Sequence, residues 1–341
     1  RAARPSILCL SGLDPTGVAG GRVPEWGGNL RLGGNALFVV EADEYDRSFL
    51  ALAPDVAVVT NVEADHLDIY RDLADIRDAF GRFIRGARTI VACADDPGAD
   101  TLAMPAAAEV IRYGIASPNA RLVARDLRAA RPGAAAGSRF DVALDGESLG
   151  EVALGVPGRH NVLNALAAVA CGLAVGATVD AMAPGLAAFR GVERRFQRLG
   201  EARGVTVVDD YAHHPTEIRA TLAAARSAFP GRRIVAAFQP HLFTRTRDFA
   251  GEFGSALAGA DAIFLTDIYP AREQPIPGVT ASLIADAARA AGGTLAWQGA
   301  RSDLGAALAR AVAAGDVVLT LGAGDITRTG PELLERLDAA A

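Results

Sequence analysis

The sequence predicts an α/β protein of two domains, the second built on a Rossmann-like parallel sheet. Three observations carry that prediction. Apolar runs of strand length alternate with stretches whose apolar residues recur at helical spacing. Polar residues gather where the strand-like runs end. The 341 residues, half of them hydrophobic, suffice for two cores of ordinary domain size.

In chain order, Phe38-Val39-Val40 predicts a strand over 37–43 that feeds Glu41-Ala42-Asp43-Glu44-Tyr45-Asp46, and Val56-Ala57-Val58-Val59-Thr60 predicts one over 56–62 that feeds Asn61-Val62-Glu63-Ala64-Asp65-His66. As buried parallel strands they would deliver both clusters to one edge of a sheet, and the carboxyl edge of an open α/β sheet is where ligands bind. Glu41 and His66 would there combine an anionic oxygen with a neutral imidazole, a pair suited to Mg²⁺ or Mn²⁺ held jointly with phosphate oxygens. Acidic residues after strands also serve as plain solvated loops. A helix over 72–86 follows, because Leu73, Ile76, Phe80, Phe83 and Ile84 fall on one helical face. Then come a strand at 89–93, a hairpin-like β extension within 121–155, a helix from Val162 to Gly176 and another from about Asp180 to Phe189. The domain boundary is placed at Gly191-Val192-Glu193-Arg194-Arg195-Phe196, giving domains 1–191 and 192–341.

From Val205 on, strands near 205–209, 233–238, 262–266, 293–297 and 317–321 are each followed by a helical pattern, which predicts parallel pairing with right-handed crossovers. Their ends are polar: Asp209-Asp210-Tyr211-Ala212-His213-His214-Pro215 after the first, Gln239-Pro240-His241 and the run to Arg247 after the second. Four of the five histidines, His66, His213, His214 and His241, stand at such ends. Pro215 suits the first turn of a helix, so His213-His214 also fit a capping device. Gly322-Ala323-Gly324 follows the last strand, but no full dinucleotide fingerprint with a third glycine follows, and close strand-to-helix packing explains the turn equally well.

Composition narrows the partners. A net charge of −6 and a pI near 5.5 leave no basic face for nucleic acid. Cys9, Cys93 and Cys171 lack metal-like spacing and predict buried thiols in a reducing compartment. With no membrane-length apolar stretch and no h-region at the arginine-bearing start, a cytoplasmic protein, monomeric or weakly dimeric, is expected. All 34 basic residues are arginine, so the chain holds no P-loop lysine.

Six motifs in order are similar to those of the Mur ligase family. They are Glu41-Ala42-Asp43-Glu44, Asn61 to His66, Gly158-Arg159-His160-Asn161-Val162-Leu163-Asn164, Val192-Glu193-Arg194-Arg195-Phe196-Gln197, Asp209 to Pro215, and Phe238 to Arg247. The resemblance runs over nearly the whole chain from about Gly12. It implies a P-loop-NTPase-like central ATPase domain with a mixed sheet, followed by a Rossmann-like amino-acid-binding domain. It also implies an ATP- and Mg²⁺-dependent amide ligase of peptidoglycan synthesis that joins UDP-N-acetylmuramate to L-alanine through an acyl phosphate. The last two motifs resemble the alanine-adding member.

By the same resemblance Glu41 and His66 would hold metal, and with Arg245 serve catalysis. Asn161 would read adenine with His160 beside it, while Arg195 and Asp210 would meet phosphate and ribose. Tyr211, His213, His241 and Arg245 would surround the amino acid, Arg245 clamping its carboxylate. On the residues alone, Asn161 also fits a helix cap, and Arg194 and Arg195 fit surface ion pairs.

The family's first domain and its Gly-Thr-His-Gly-Lys-Thr loop are not among these residues, and Arg1 to Leu10 read like a splice. A polypeptide of only these residues is therefore expected to fold but to ligate poorly. Three alternatives stand beside the ligase: a recycling enzyme that attaches a tripeptide to the same sugar nucleotide, a noncatalytic nucleotide- or amino-acid-binding module, and an NAD(P)H-dependent oxidoreductase on the C-terminal glycine turn.

Overall fold

The computed structural model describes residues 12–67, 69–102, 104–129 and 137–339. The stretch read as a splice, Arg1 to Leu10, and Cys9 within it lie outside the described residues. The chain divides into two compact units, 1–192 and 193–341.

In the first unit, β1 (Thr16–Val23), β2 (Gly28–Arg31) and β3 (Phe38–Val40) form a small sheet in the order β2-β1-β3. The larger sheet takes β4 (Val56–Val59), β5 (Thr89–Cys93), β6 (Glu109–Gly114), β7 (Leu122–Ala129), β8 (Ser138–Leu144) and β9 (Glu147–Leu154) in chain order. Its first four strands are parallel and its last three antiparallel. The sheet is thus mixed, as expected.

One expectation is overturned. β3 is not a buried neighbour of β4: it lies in the small sheet, parallel to β1, with Phe38 63% and Val40 44% exposed. An apolar run signals a strand without saying which sheet takes it, and the strand that captures β3, Thr16-Gly17-Val18-Ala19-Gly20-Gly21-Arg22-Val23, is too glycine-rich to read as one. The expected strands 37–43 and 56–62 also stop early, at Val40 and Val59, so both acidic clusters lie wholly in the connections. β6 had no clear signature because Arg112 interrupts it; its Nε donates to Asp100 Oδ1 at 3.0 Å.

Helix α1 (Leu73–Ile84) begins where Asp72 accepts from Asp75 N, and it buries Ile76, Ala79, Phe83 and Ile84. A single turn, α2 (Pro97–Asp100), follows β5, and α3 (Arg159–Ala174) and α4 (Val179–Ala188) complete the unit. α3 starts three residues before the expected Val162, at Arg159, capped by Gly158, whose φ of 98° suits only glycine. His160 and Asn161 therefore stand in the first helical turn.

The second unit is one six-stranded sheet. Its strands are β10 (Gln197–Ala202), β11 (Val205–Asp210), β12 (Ile234–Phe238), β13 (Ala262–Thr266), β14 (Leu295–Gly299) and β15 (Val317–Leu321), in the order β10-β11-β15-β12-β13-β14. The last five are parallel, as the alternating pattern predicts. β10 is an unforeseen antiparallel edge, joined to β11 through Arg203 and Gly204, both at positive φ, the geometry of a two-residue hairpin turn.

Side chains alternate across these strands. Ile234, Ala236 and Phe238 pack on one face with α5 (Pro215–Ala228), α6 (Phe243–Leu257) and α7 (Ser282–Ala290), while Val235 and Ala237 face α8 (Arg301–Ala311) and α9 (Thr329–Ala339). All five parallel strands therefore present their carboxyl ends, and the polar clusters after them, at one edge.

Cys93 is buried and Cys171 half-buried. Among the described residues no helix is long and apolar enough to cross a membrane.

Candidate functional site

In the first unit the segment after β4 is pinned from below. Val62 N donates to Asp96 Oδ1 at 3.0 Å, and Gly98 lies so close that a Cβ there would stand 1.9 Å from Val62 O. The pinned loop leads to His66, half-buried, at φ 50°, its N–H bonded to Asp65 Oδ1 at 2.7 Å. A non-glycine residue in that region is strained and is held there by its surroundings. The His66 ring meets Tyr45 edge-on at 5.2 Å, with Nε2 3.6 Å from Glu44 Oε1 and 3.7 Å from Asp65 Oδ2.

Glu41 is placed differently. Its N–H extends the pairing of β3 to Val18 O at 2.9 Å, and its Oε2 accepts from Gly20 N at 2.9 Å. The carboxylates described beside the imidazole thus belong to Glu44 and Asp65, while Glu41 sits against β1 of the small sheet. Delivery of both clusters by one sheet edge is corrected to delivery by two separate sheets.

Among the described residues, no group of three or more His, Cys, Asp and Glu could hold a metal ion. A Mg²⁺ site of one or two protein ligands completed by substrate phosphates and water would not form such a group.

At the start of α3, Asn161 Nδ2 donates to Pro157 O at 2.6 Å, and Gly158 holds the capping position, so Asn161 is not the helix cap. Arg159 Nη2 pairs with Asp95 Oδ2 at 2.6 Å, and Asp95 also accepts from the N–H groups of Ile115, Ala116 and Ser117. Burial works against that charge, but the backbone donors and Arg159 outweigh it and hold the Asp95 carboxyl below its ordinary range. Asp95, which orients this helix start, was not singled out from sequence; its only signal was an acid directly after β5.

In the second unit Asp209 is buried and bonded to Arg194 Nε at 3.1 Å, Thr320 Oγ1 at 2.6 Å and Thr327 Oγ1 at 3.1 Å. Arg194 also donates to Gly322 O at 2.6 Å. It is an internal clamp, not a surface ion pair. Asp210 is 6% exposed and accepts from Phe196 N and Ala212 N, both at 2.8 Å. Arg195, half exposed, pairs with Glu217 Oε1 at 3.3 Å and lies 5.5 Å from the Tyr211 ring centre.

His214 caps α5, its Nδ1 accepting from Thr216 N at 3.4 Å with Pro215 in the first turn, so the capping reading is right for His214. His213 instead turns to the cluster: its Nδ1 lies 2.9 Å from Tyr211 O and its ring 6.0 Å from that of His241. His241 stacks on Tyr269 at 5.8 Å and 14°. Arg245, 7% exposed, donates Nη1 to His213 O at 3.3 Å. Leu242, at φ 70°, starts the helix that carries Arg245 and is tied to the connection after β13 by Leu242 N to Tyr269 O at 3.0 Å. Tyr211, His213, His241 and Arg245 are thereby brought together, with Tyr269 added. Tyr269 could have been sought, since it follows a strand end as the others do.

The C-terminal glycine turn is a packing device. A Cβ on Gly322 would stand 2.7 Å from Gln239 O, and one on Gly324 would stand 2.4 Å from Gln239 Oε1 and 2.7 Å from Tyr269 Cγ. Close strand-to-helix packing, the plain reading of this turn, therefore accounts for both glycines without a dinucleotide.

Comparison with known proteins bears on this architecture directly. The Mur ligase middle domain matches residues 28–172, and the glutamate ligase domain of Mur ligases matches 194–324. A UDP-N-acetylmuramate–L-alanine ligase from Salinibacter ruber is 44% identical over 97% of this chain and 70% of its own length. This chain belongs to the Mur ligase family. The crystal structure of the UDP-N-acetylmuramate–alanine ligase of Thermotoga maritima has 29% identity, covers 100% of this chain and 73% of its own, and gives a TM-score of 0.81. A murein peptide ligase from Psychrobacter arcticus, at 24% identity over 99% and 74% of the two chains with a TM-score of 0.68, shares the fold.

In the second unit of this Mur ligase, His241, Asp210 and Glu217 are shifted far from their ordinary pKa values. Burial lowers the His241 pKa to about 4, helped by His213 and Arg245, so the ring is neutral at physiological pH. Burial raises Asp210 to about 6, against the pull of Arg195 and the Phe196 N–H. Because its pKa is higher folded than the ordinary 3.8, Asp210 contributes stability at low pH that is lost as pH rises through about 6. Glu217, held at about 2, contributes nothing variable above its ordinary 4.5. Between pH 4.5 and 6.5, Asp210 should therefore make unfolding easier as pH rises, by up to about 2 kcal/mol. Urea titrations across that window should show this slope in the wild type and lose it in Asp210→Asn. An equal slope in both would place the titration elsewhere.

Proposed function

We propose that this Mur ligase chain takes part in the ATP-dependent joining of UDP-N-acetylmuramate to L-alanine. The observation that carries the reading is a buried guanidinium, Arg245, held beside His213, His241 and Tyr211 at the carboxyl edge of a parallel sheet. The relatives that share the fold and are named for this reaction support it.

A carboxylate is a poor acyl donor, so the lactyl carboxylate first takes the γ-phosphate of ATP, and the resulting acyl phosphate is attacked by the amine with loss of phosphate. Arg245 offers two parallel donors to the carboxylate of the amino acid and so fixes the direction of its amine. His241 stays neutral and adds no cation beside the incoming ammonium group. Arg195 meets phosphate, with Asp210 shaping the 194–196 turn that presents it. Asn161 and His160 face adenine. Glu41 and His66 would each hold a Mg²⁺ together with ATP, which would supply charge neutralisation between triphosphate and carboxylate.

Phosphate release from ATP should require both UDP-N-acetylmuramate and L-alanine. For a polypeptide of only these residues, which holds no lysine, the rate is expected about 100-fold below that of the Salinibacter ruber relative. A rate near the relative's removes that expectation. Release with a tripeptide but not with L-alanine moves the assignment to the recycling reaction. ATP binding without release under every substrate combination leaves a noncatalytic module.

A further inference from the structure

Resting on the ligase reading above, we propose that Glu217 is a positioning residue that couples the phosphate-facing Arg195 to the amino-acid-facing His213. Glu217 lies in the first turn of α5, and one of its oxygens does what a capping box requires, accepting from the N–H of His214 at 3.2 Å. The side chain does more than that. Oε2 also accepts from His213 N at 2.9 Å and lies 3.3 Å from His213 Nδ1, while Oε1 accepts from Arg195 Nη1 at 3.3 Å. One carboxylate thus touches a residue on each side of Tyr211, whose ring lies 5.1 Å from that of His213 and 5.5 Å from the Arg195 guanidinium.

The charge is what the second task uses. Although burial pushes its pKa up, His213 and Arg195 outweigh that and hold Glu217 ionised down to about pH 2. A cap alone would be served by glutamine, which is equally at home at that helical position. His213 faces Glu217, the Arg245 guanidinium on its carbonyl, and the rings of His241 and Tyr211. Among these, Glu217 is the anion, 3.3 Å from Nδ1, which the Tyr211 carbonyl also meets at 2.9 Å. A shift of Glu217 would move His213 and Arg195 together, so filling of the nucleotide side and of the amino-acid side would be linked through it.

The test is Glu217→Gln in the full chain, which keeps the cap and removes the charge. Three quantities are read: the His213 ring titration by NMR, the affinity for L-alanine by calorimetry, and Tm. The expected result is a His213 pKa lower by about one unit, L-alanine binding weaker by about tenfold, and a Tm within about 3 °C of the wild type. Should E217Q lose more than about 5 °C, Glu217→Asp is read in its place, with a weaker titration shift and the same loss of affinity expected. Unchanged titration and unchanged L-alanine affinity would reduce Glu217 to a helix cap and overturn the proposal. Failure of the wild type itself to bind L-alanine counts against the ligase reading, and the His213 titration then decides the role of Glu217 alone.

Discussion

Replacing Arg245 by methionine is expected to lower the affinity for L-alanine by about 100-fold, with a smaller effect on nucleotide binding. The residue is 7% exposed and stands on the first turn of α6, whose start is set by the left-handed Leu242. A guanidinium in that position can give two parallel hydrogen bonds to a carboxylate, each charge-assisted and worth about 1.5–3 kcal/mol away from bulk water. Methionine fills a similar volume but gives none of them. It also leaves the carbonyl of His213 without the Arg245 donor, so part of the loss appears as a small drop in stability. Arg245→Lys separates charge from geometry: a compact ammonium makes one such bond instead of two, and an intermediate loss of about tenfold is expected. Calorimetric titration of L-alanine into the wild type and both variants gives the comparison. An R245M protein that binds L-alanine as the wild type does would remove Arg245 from the amino-acid site.

Gly98→Ala is expected to destabilise the first unit by about 3 kcal/mol, although it adds a single methyl group. The new Cβ would stand 1.9 Å from the carbonyl oxygen of Val62 and 2.8 Å from its carbonyl carbon, and both are backbone atoms that no rotamer change can clear. Either α2 or the segment after β4 must therefore move. The two are tied by Asp96, whose Oδ1 accepts from Ala99 N at 2.7 Å and from Val62 N at 3.0 Å. Displacing one strains the other, and the segment that starts at Val62 ends at His66. The substitution should thus lower the thermal midpoint of the first unit by about 10 °C and weaken ATP binding along with it. Differential scanning calorimetry measures the first effect. A midpoint within about 2 °C of the wild type would show that the segment accommodates the methyl group freely.

Local pattern was informative where an element is recognised by its own side chains. The periodicity of Leu73 to Ile84 marked α1, and the apolar runs at 262–266 and 317–321 marked β13 and β15 to the residue. Tyr211 and His213 follow the run at 205–209, and His241 and Arg245 follow the run at 233–238, as the pattern placed them. Where identity depends on a partner, the pattern was silent or misleading. β10 is an edge strand interrupted by Gly200, and β6 carries a paired arginine. Asp95 and Glu217 matter for the backbone and guanidinium groups they meet, from Ile115 to Arg159 in one case and from Arg195 to His214 in the other.

By itself, then, the sequence determined the α/β class, the parallel second sheet and the residues gathered at its strand ends. Hydrophobic period and strand direction are properties of short segments, and they carry that information wherever the segment ends up. Only the tertiary structure decided that β3 joins β1 and not β4, that Glu41 meets Gly20 while His66 meets Glu44 and Asp65, and that one carboxylate spans Arg195 and His213. Sheet membership and ion pairing depend on which backbone donors and charges remain unsatisfied after distant segments come together, and residue spacing along a chain does not encode that.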